Sequence, residues 1–493
     1  MSVLNTPVTP LPEEVPTLLH IGGHWVEASG GARMPVEDPA TGRLLCSVAD
    51  ASPADGRAAL DAAVGAQRNW AATPARERSR ILWRAYELMT ADVERLARVM
   101  TAEMGKPLAE ARGEVAYAAE FFQWFAEEAV RIGGDFGRTP DGGSRAMVLR
   151  QPVGPCLLVT PWNFPLAMGA RKIAPALAAG CTVVLKPAPQ TPLSSLLLGK
   201  LLTEAGLPAG VVNIVPTRGA AELVEPLLRS GDVRKLSFTG STGVGRILLA
   251  QAADAVVRTS MELGGNAPFV VFADADLDVA VACAVQAKMR NMGEACTAAN
   301  RFFVHTTVAE EFGRRLAEAM SALRMGPGLE PGTEVGPLVD APSRATVAGL
   351  VEDAVVRGAT VLCGGSAPSR PGYFYLPTVL TGVDPDSELV RYEIFGPVAA
   401  IQTFDDPDEV VRLANATTWG LAGYVFTQDV DRAMQVCEDL EVGMVGLNGG
   451  VVSNPATPFG GIKQSGLGRE GGAQGIDEYL EYKLIAMPVR PAG

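Results

Sequence analysis

A chain of 493 residues with 47% apolar side chains is long enough for two sizeable cores, so a multi-domain globular protein is expected. A formal net charge of −13, with no run of Lys or Arg, argues against nucleic acid or an anionic membrane as a partner. Seven scattered cysteines without a CxxC pair imply reduced thiols, and three histidines (His20, His24 and His305) are too few for most metal centres or for a Ser-His hydrolase.

The chain opens with MSVLNTPVTPLPEEVPT, which lacks a basic start and an apolar core; a Pro-rich, poorly ordered tail is expected rather than a secretory signal. Helical spacing follows over residues 53–71 and 77–104, where Ile81, Leu82, Ala85, Leu88, Met89, Leu96 and Met100 form one stripe, and a third helix is expected over 108–131. Gly, Pro and Asp punctuation around AMVLRQ predicts a protruding hairpin over 133–154. From Gly154 the rhythm becomes short apolar strands (CLLVT, TVVLK, VVNIV, KLSFT) separated by helices, the alternation of an open parallel sheet. The longest nearly apolar run, residues 173–185, is too short to span a membrane and holds Pro175 and Gly180, so a cytoplasmic location is expected. A second alternating region runs over 274–461, with strand candidates RFFVH, TVLCG, VAAIQTF, GYVFT and GMVGLN. EYLEYKLIAM reads as a strand near the C-terminus.

Four places carry candidate chemistry. KLSFTGSTGVGRILLA sets a Gly-rich turn, residues 240–245, between a strand and a helix, where free amides and the helix dipole suit a phosphate. It fits neither a P-loop nor GxGxxG, and a plain tight turn explains it equally well. Cys296 in RNMGEACTAANR lies between a helix and a strand, a position open enough for a thiolate, although a lone thiol is usually an inert core residue. Glu262 precedes two glycines in MELGGNAP that permit close backbone approach. Asn163 in TPWNFP follows the first strand of the alternating sheet, on the side where such sheets bind ligands, with local capping as its alternative role.

Taken together, TPWNFP, KPAPQTP, FTGSTGVG, ELGGNAP, GEACTAANR, EIFGPV and PFGGIKQSGLGRE resemble, in order and spacing, the aldehyde dehydrogenase superfamily over nearly the whole chain. Through RKLSFTGSTGVGR, MELGGNAPFVVF, GVVSN and SGLGREGGAQGIDEYLEYK the chain is most similar to the branch that oxidises succinate semialdehyde. The resemblance implies an α/β fold: a Rossmann-type cofactor domain (1–132 and 153–264), an α/β catalytic domain (265–464) and a β oligomerisation arm with the C-terminal segment (133–152 and 465–493). A homodimer or homotetramer is implied, since such arms pair strand edges between subunits.

The same resemblance implies residue roles. Cys296 matches the nucleophile that forms a thiohemiacetal and then a thioester, Asn163 an oxyanion donor, and Glu262 the base for hydrolysis. Lys172 and Glu470 match positions of a proton path. Trp162, Asn163, Lys186, Pro189, Gly240, Ser241, Leu263, Glu393 and Phe395 match cofactor-binding positions. Pro189 stands where strictly NAD-preferring members often carry Glu, so a carboxylate that would repel a 2'-phosphate is missing; NADP is the expected cofactor, with NAD possible. Arg171, Arg290 and Ser453 match the grip on the substrate carboxylate. Glutarate semialdehyde is the alternative substrate, and a thiol hydrolase or acyltransferase, with His305 as partner, the alternative class.

Overall fold

The computed structural model describes residues 11, 12 and 14–490; residues 1–10 and 13 of the expected N-terminal tail lie outside the described residues. The first helix, Pro53–Ala72, starts at a capping box: Ser52 accepts from the Asp55 amide, Asp55 accepts from the Ser52 amide, and Pro53 fills the first turn. The stretch expected as one helix over 77–104 is two, Ala75–Ala91 and Val93–Met104. Asp92 between them leaves helical geometry (φ −107°, ψ 22°), its carboxylate held by Arg95 Nε at 2.7 Å. Both halves bury the same stripe, which is why periodicity alone did not mark the break. The third expected helix is Leu108–Ala129.

Eight strands form the first sheet, in the spatial order His24–Val26, Leu19–Ile21, Val212–Ile214, Val183–Lys186, Cys156–Val159, Lys235–Thr239, Arg258–Glu262 and Gly466–Leu467. The five central strands are parallel and the outer ones antiparallel. Chain order reverses between Cys156–Val159 and Lys235–Thr239, and a crevice opens beyond the carboxyl ends of strands at such a switch point.

The second sheet holds seven strands, in the order Thr360–Cys363, Thr378–Thr381, Val398–Phe404, Ala299–His305, Ala267–Val271, Ala422–Phe426 and Met444–Leu447. It begins at Ala267, ahead of the alternation read from residue 274. Ala267–Val271 and Thr378–Thr381 were not among the expected strands: the first is buried on both faces and therefore shows no period-two pattern. Phe269 sits at the centre of this core, its ring 4.5 Å from Phe426, 4.9 Å from Phe302, 5.8 Å from Tyr424 and 6.3 Å from Phe312. The hairpin Asp135–Arg138 and Ser144–Pro152 joins the terminal strand Leu480–Pro488 in a separate three-stranded sheet with an exposed apolar surface at Phe136, Tyr482 and Leu484.

Replacing Phe269 by Ala removes one ring from that cluster and leaves a cavity that four aromatic neighbours cannot close. The expected loss is about 3–5 kcal/mol of stability, read as a lower urea midpoint. A loss under about 1 kcal/mol would mean that the cluster collapses around the gap.

Candidate active site

The crevice at the switch point of the first sheet is a 360 Å³ cavity lined by Trp162, Asn163, Thr239, Gly240, Ser241, Leu263, Gly264, Cys296, Glu393 and Phe395, with Pro161 and Met168 completing it. The two strand ends flanking the reversal supply its first half. The other half comes from the second sheet's side, because the chain leaves Glu262 at the end of one sheet and enters Ala267 at the start of the other. That crossing is tight. A Cβ on Gly264 would stand 2.8 Å from Glu393 Oε2, and one on Gly265 would stand 2.3 Å from the Cys296 carbonyl oxygen. Only glycine lets the backbone pass between the two groups.

Cys296 is half-buried, following a strained loop in which Asn291 and Met292 both have φ of 54°. Burial pushes its thiol up to about 12; Arg171 and Arg290 pull it down, and Glu262 and Glu393 push it further up. Glu262, 3% exposed, has neither carboxylate oxygen hydrogen-bonded. Burial, and then the charge of Glu470, raise it well above the ordinary carboxylate range, against the pull of Arg171 and Lys172. A desolvated thiol and a desolvated carboxyl therefore share one site, each waiting for a partner.

Asn163 is held from several sides. Its side-chain amide donates to the Glu294 carbonyl at 3.0 Å, and its own carbonyl accepts from Lys106 Nζ at 2.8 Å and Asn291 Nδ2 at 3.0 Å. Lys106 in turn pairs with Glu114 at 2.5 Å, both buried. Glu114 also accepts from the Leu166 and Ala167 amides, 3.0 and 3.1 Å away, at the N-terminus of the helix Ala167–Ala179. Lys106, Glu114 and Asn291 were not singled out from the sequence. Glu114 lies on a stretch read as a helix, Lys106 between two such stretches and Asn291 beside Cys296, and nothing local announces their burial.

The helix Ala167–Ala179 carries Arg171 and Lys172 inward. Arg171 Nε lies 2.6 Å from Glu470 Oε2, and its guanidinium stacks 3.9 Å from the Phe459 ring. Lys172 contacts the other Glu470 oxygen and donates to Ser237 Oγ at 3.0 Å. Burial pushes Glu470 up, but Lys172 and Arg171 outweigh it and hold the carboxylate below its usual range; burial lowers Lys172.

The second cavity, 580 Å³, includes Phe164, the residue after Asn163 of the first, and is lined by Arg290, Ser453, Tyr117, Glu110 and Gln286 among others. Arg290 Nη1 donates to Ser453 Oγ at 3.3 Å, and its guanidinium lies 4.9 Å from the Phe164 ring. Of the three residues expected to grip a carboxylate, the structure brings Arg290 and Ser453 together there, whereas Arg171 lines neither cavity and is committed to Glu470. Pro189 lies apart from the crevice as well, in a 410 Å³ depression with Gln190, Arg218, Asp340 and Tyr373. Lys186 ends the strand Val183–Lys186, nearly buried, and burial lowers its ammonium to about 8.

These groups suit a dinucleotide. Gly240 and Ser241 line the crevice where the helix Thr242–Asp254 begins, with Ser241 capping it through the Val244 amide. The Thr239 hydroxyl is buried without a partner at the same end of the strand. Glu393, which accepts from the Gly265 amide at 3.1 Å and is raised by burial to about 7, offers an acceptor for ribose hydroxyls. Trp162 and Phe395 stand edge to face, 5.3 Å apart, as apolar walls.

The comparisons agree with this geometry. Residues 25–485 match the model of the Aldehyde dehydrogenase family. The chain belongs to that family. It is 55% identical over 444 residues to a succinate-semialdehyde dehydrogenase of Paenarthrobacter nicotinovorans, covering 90% of this chain and 99% of that one. It is 49% identical to a glutarate-semialdehyde dehydrogenase of Pseudomonas putida (95% and 97% covered) and 48% identical to the NADP(+) succinate-semialdehyde dehydrogenase of Escherichia coli (95% and 97%). The solved succinate-semialdehyde dehydrogenase of Burkholderia pseudomallei superposes with a TM-score of 0.96 at 47% identity, covering 97% of this chain and 99% of that one.

His305, the partner that a thiol hydrolase would need, stands at the far end of the strand Ala299–His305, roughly 20 Å along from the Cys296 end, and caps the next helix through Thr307. It is not available to Cys296.

Because burial raises the Cys296 thiol, the thiolate is scarce near neutrality and its fraction grows until the pH approaches about 12. Alkylation of Cys296 by iodoacetamide, followed on the tryptic peptide, should climb about tenfold per pH unit between about pH 7 and 9 in the protein without added ligands. A plateau near about pH 8 would show that the neighbouring arginines win over burial.

Proposed function

We propose that the chain is an NAD(P)-dependent aldehyde dehydrogenase that oxidises succinate semialdehyde to succinate, with Cys296 as nucleophile. The observation that carries this reading is Cys296 lining the crevice at the switch point while Arg290, whose charge acts on the Cys296 thiol, presents itself with Ser453 in another cavity. A carboxylate on the far end of a short aldehyde would meet the Arg290 guanidinium and the Ser453 hydroxyl there.

Deprotonated Cys296 attacks the aldehyde carbon and leaves a negative oxygen. Asn163, whose amide uses one hydrogen on Glu294, has a second to offer that oxygen, and the Cys296 backbone N–H offers another. NAD(P), held in the crevice lined by Trp162, Gly240, Ser241, Glu393 and Phe395, would supply the hydride acceptor for this carbon. The product is a thioester on Cys296. Glu262 takes a proton from the attacking water as the new C–O bond forms, the C–S bond breaks and the thiolate returns. Arg171 and Lys172 hold Glu470 ionised beside Glu262, which gives the released proton somewhere to go. Gly240 and Ser241 would hold the pyrophosphate, Lys186 and the Pro189 neighbourhood the adenosine ribose, and Glu393 the nicotinamide ribose, with Trp162, Leu263 and Phe395 as walls.

Glutarate semialdehyde remains the second reading, favoured by the size of the 580 Å³ cavity, since one methylene is worth only about 1–3 kcal/mol in a pocket. The domain division at residues 132, 153, 265 and 464 is carried over as part of the proposal, as is assembly through the three-stranded arm. Its exposed Phe136, Tyr482 and Leu484 suit an interface in a homodimer or homotetramer. A cytoplasmic location belongs to the same proposal, supported by seven scattered cysteines without a CxxC pair; no helix among the described residues is long and apolar enough to cross a membrane.

The test is formation of reduced cofactor with a panel of aldehydes. Wild type should prefer succinate semialdehyde to butanal, and Arg290→Ala should lose tens-fold or more in kcat/KM for the former, as expected for about 2–5 kcal/mol from a lost charge partner, but far less for butanal. Equal losses on both substrates would remove Arg290 from carboxylate recognition.

Lys186 supplies a cation and Pro189 no repelling carboxylate, so NADP should be used at least as well as NAD. Pro189→Glu should move the kcat/KM ratio towards NAD by a moderate factor. A wild type that strongly favours NAD would overturn this part of the reading.

A further inference from the structure

The cavity that presents Arg290 and Ser453 is also lined by three carboxyls, those of Glu110, Glu114 and Glu334. Three carboxylates beside one guanidinium make a poor pocket for an anion unless one of them can give up its charge. Their partners tell them apart. Glu114 is bound to Lys106 and to the Leu166 and Ala167 amides, and the exposed Glu334 accepts from the Arg324 amide at 3.0 Å. Glu110 is half-buried, and its Oε2 accepts from the Asn291 amide at 2.6 Å. Among the described residues its other oxygen accepts no hydrogen bond, and neither Glu110 nor Arg290 closes into an ion pair. A free carboxyl oxygen and a free guanidinium thus face one cavity.

Glu110 lies in the first turn of the helix Leu108–Ala129, a place that by itself favours the anion. Burial overrides this and raises the carboxyl; the Asn291 amide, Lys106 and Arg290 pull it back, and Glu114 pushes it further up. The groups that face it are the cations Lys106 and Arg290, the carboxyls of Glu114 and Glu334, and the Tyr117 hydroxyl. Its contact with Asn291 also reaches the loop before Cys296: Asn291 has φ of 54° and donates through Nδ2 to the carbonyls of Asn163 and Glu294, each at 3.0 Å.

Resting on the function proposed above, we infer that Glu110 is a specificity-determining residue: it takes a proton from solvent when a carboxylate enters beside Arg290, so that an aldehyde with an anionic tail and one proton bind together. The oxygen that Asn291 leaves free receives the proton, and no other bond changes. While ionised, Glu110 repels the incoming carboxylate; once protonated, it adds an O–H donor to the Arg290 guanidinium and the Ser453 hydroxyl. A bound carboxylate raises Glu110 further, because it brings a like charge and engages Arg290. Binding is therefore tightest when Glu110 is protonated in the free protein, weakens as the pH rises from the free to the liganded value, and levels off above both. A neutral tail is indifferent to this titration.

The test uses succinamate, which carries the tail carboxylate and an unreactive amide in place of the aldehyde, against succinamide, which lacks the carboxylate. Calorimetric titrations in buffers of different ionisation heat give both the affinity and the protons taken up. For wild type, the succinamate Kd should rise about tenfold from about pH 6 to about pH 9, with uptake of up to about one proton per ligand; succinamide should show neither. Glu110→Gln can still accept from the Asn291 amide but carries no charge. Its succinamate Kd should be flat and, at the alkaline end, about tenfold below that of wild type, the opposite of what a lost loop fastening would do. A pH-independent wild-type Kd without proton uptake overturns the assignment. So does a pH dependence that survives in Glu110→Gln, which places the titration on another group, or a variant that binds more weakly at every pH, which makes Glu110 a fastening of the Asn291 loop. If the variant does not fold, the wild-type comparison of the two ligands decides. A wild type that takes up the proton with succinamate but reduces no cofactor with any aldehyde refutes the proposed function and leaves Glu110 in its role. One that reduces cofactor but does not bind succinamate removes the tail carboxylate, and Glu110 with it, from recognition.

Discussion

The site depends on how few residues separate the two sheets. Four residues join the end of the strand Arg258–Glu262 to the start of Ala267–Val271, and this crossing pins the carboxyl ends of the first sheet's parallel strands to the amino ends of the second's. Ser465 fastens it: its carbonyl accepts from the Leu263 amide at 2.9 Å, its hydroxyl donates to the Gly264 carbonyl at 2.7 Å and accepts from the Gly420 amide at 2.9 Å. With the crossing fixed, Glu262, Cys296 and Glu393 have little freedom to separate. Gly264 and Gly265 are the positions where a side chain would force them apart.

Placing reactive groups at such a junction takes them out of water, and the electrostatics follow from that. Desolvation is the largest influence on the Cys296 thiol and on Glu262, and in both cases it disfavours the anion. The compensating charge is not scattered. Arg171 and Lys172 share Glu470, Lys106 is bound to Glu114, and each pair sits on or against the helix Ala167–Ala179. Removing one member of such a pair leaves an unpaired buried charge, so these residues are tied to stability as firmly as to chemistry. A thiol kept neutral by its surroundings reacts more slowly with electrophiles than the thiolate does.

In the proposed function the two cavities divide recognition of the carboxylate from the chemistry at Cys296. The crevice at the switch point offers an amide donor, an acceptor and aromatic walls; the cavity lined by Phe164 offers the Arg290 guanidinium with the hydroxyls of Ser453, Tyr117 and Thr333, alongside the carboxyls of Glu110, Glu114 and Glu334. Asn163 lines the first and Phe164 the second. Asn163 is gripped by Lys106, Asn291 and Glu294, which fixes the side-chain amide that the proposed mechanism assigns to the oxyanion.

Much of this was legible before folding, for identifiable reasons. Strands such as CLLV, VVLK and KLSFT announce themselves because buried parallel strands are short apolar runs between breakers, and the motifs around Cys296, Glu262 and Asn163 are local strings whose resemblance to a known family survives without coordinates. The sequence alone therefore determined the class of fold, the nucleophile candidate and the general base candidate. What it could not show was company. Whether Arg171 faces a substrate or Glu470, 299 positions away, depends on how a helix packs against the C-terminal segment. That Lys106 supports Asn163, or that Glu110 accepts from the Asn291 amide, depends on loop packing and on burial of charges that local pattern assigns to solvent. A charged side chain's role is set by its neighbours, and those neighbours are brought together only by tertiary structure.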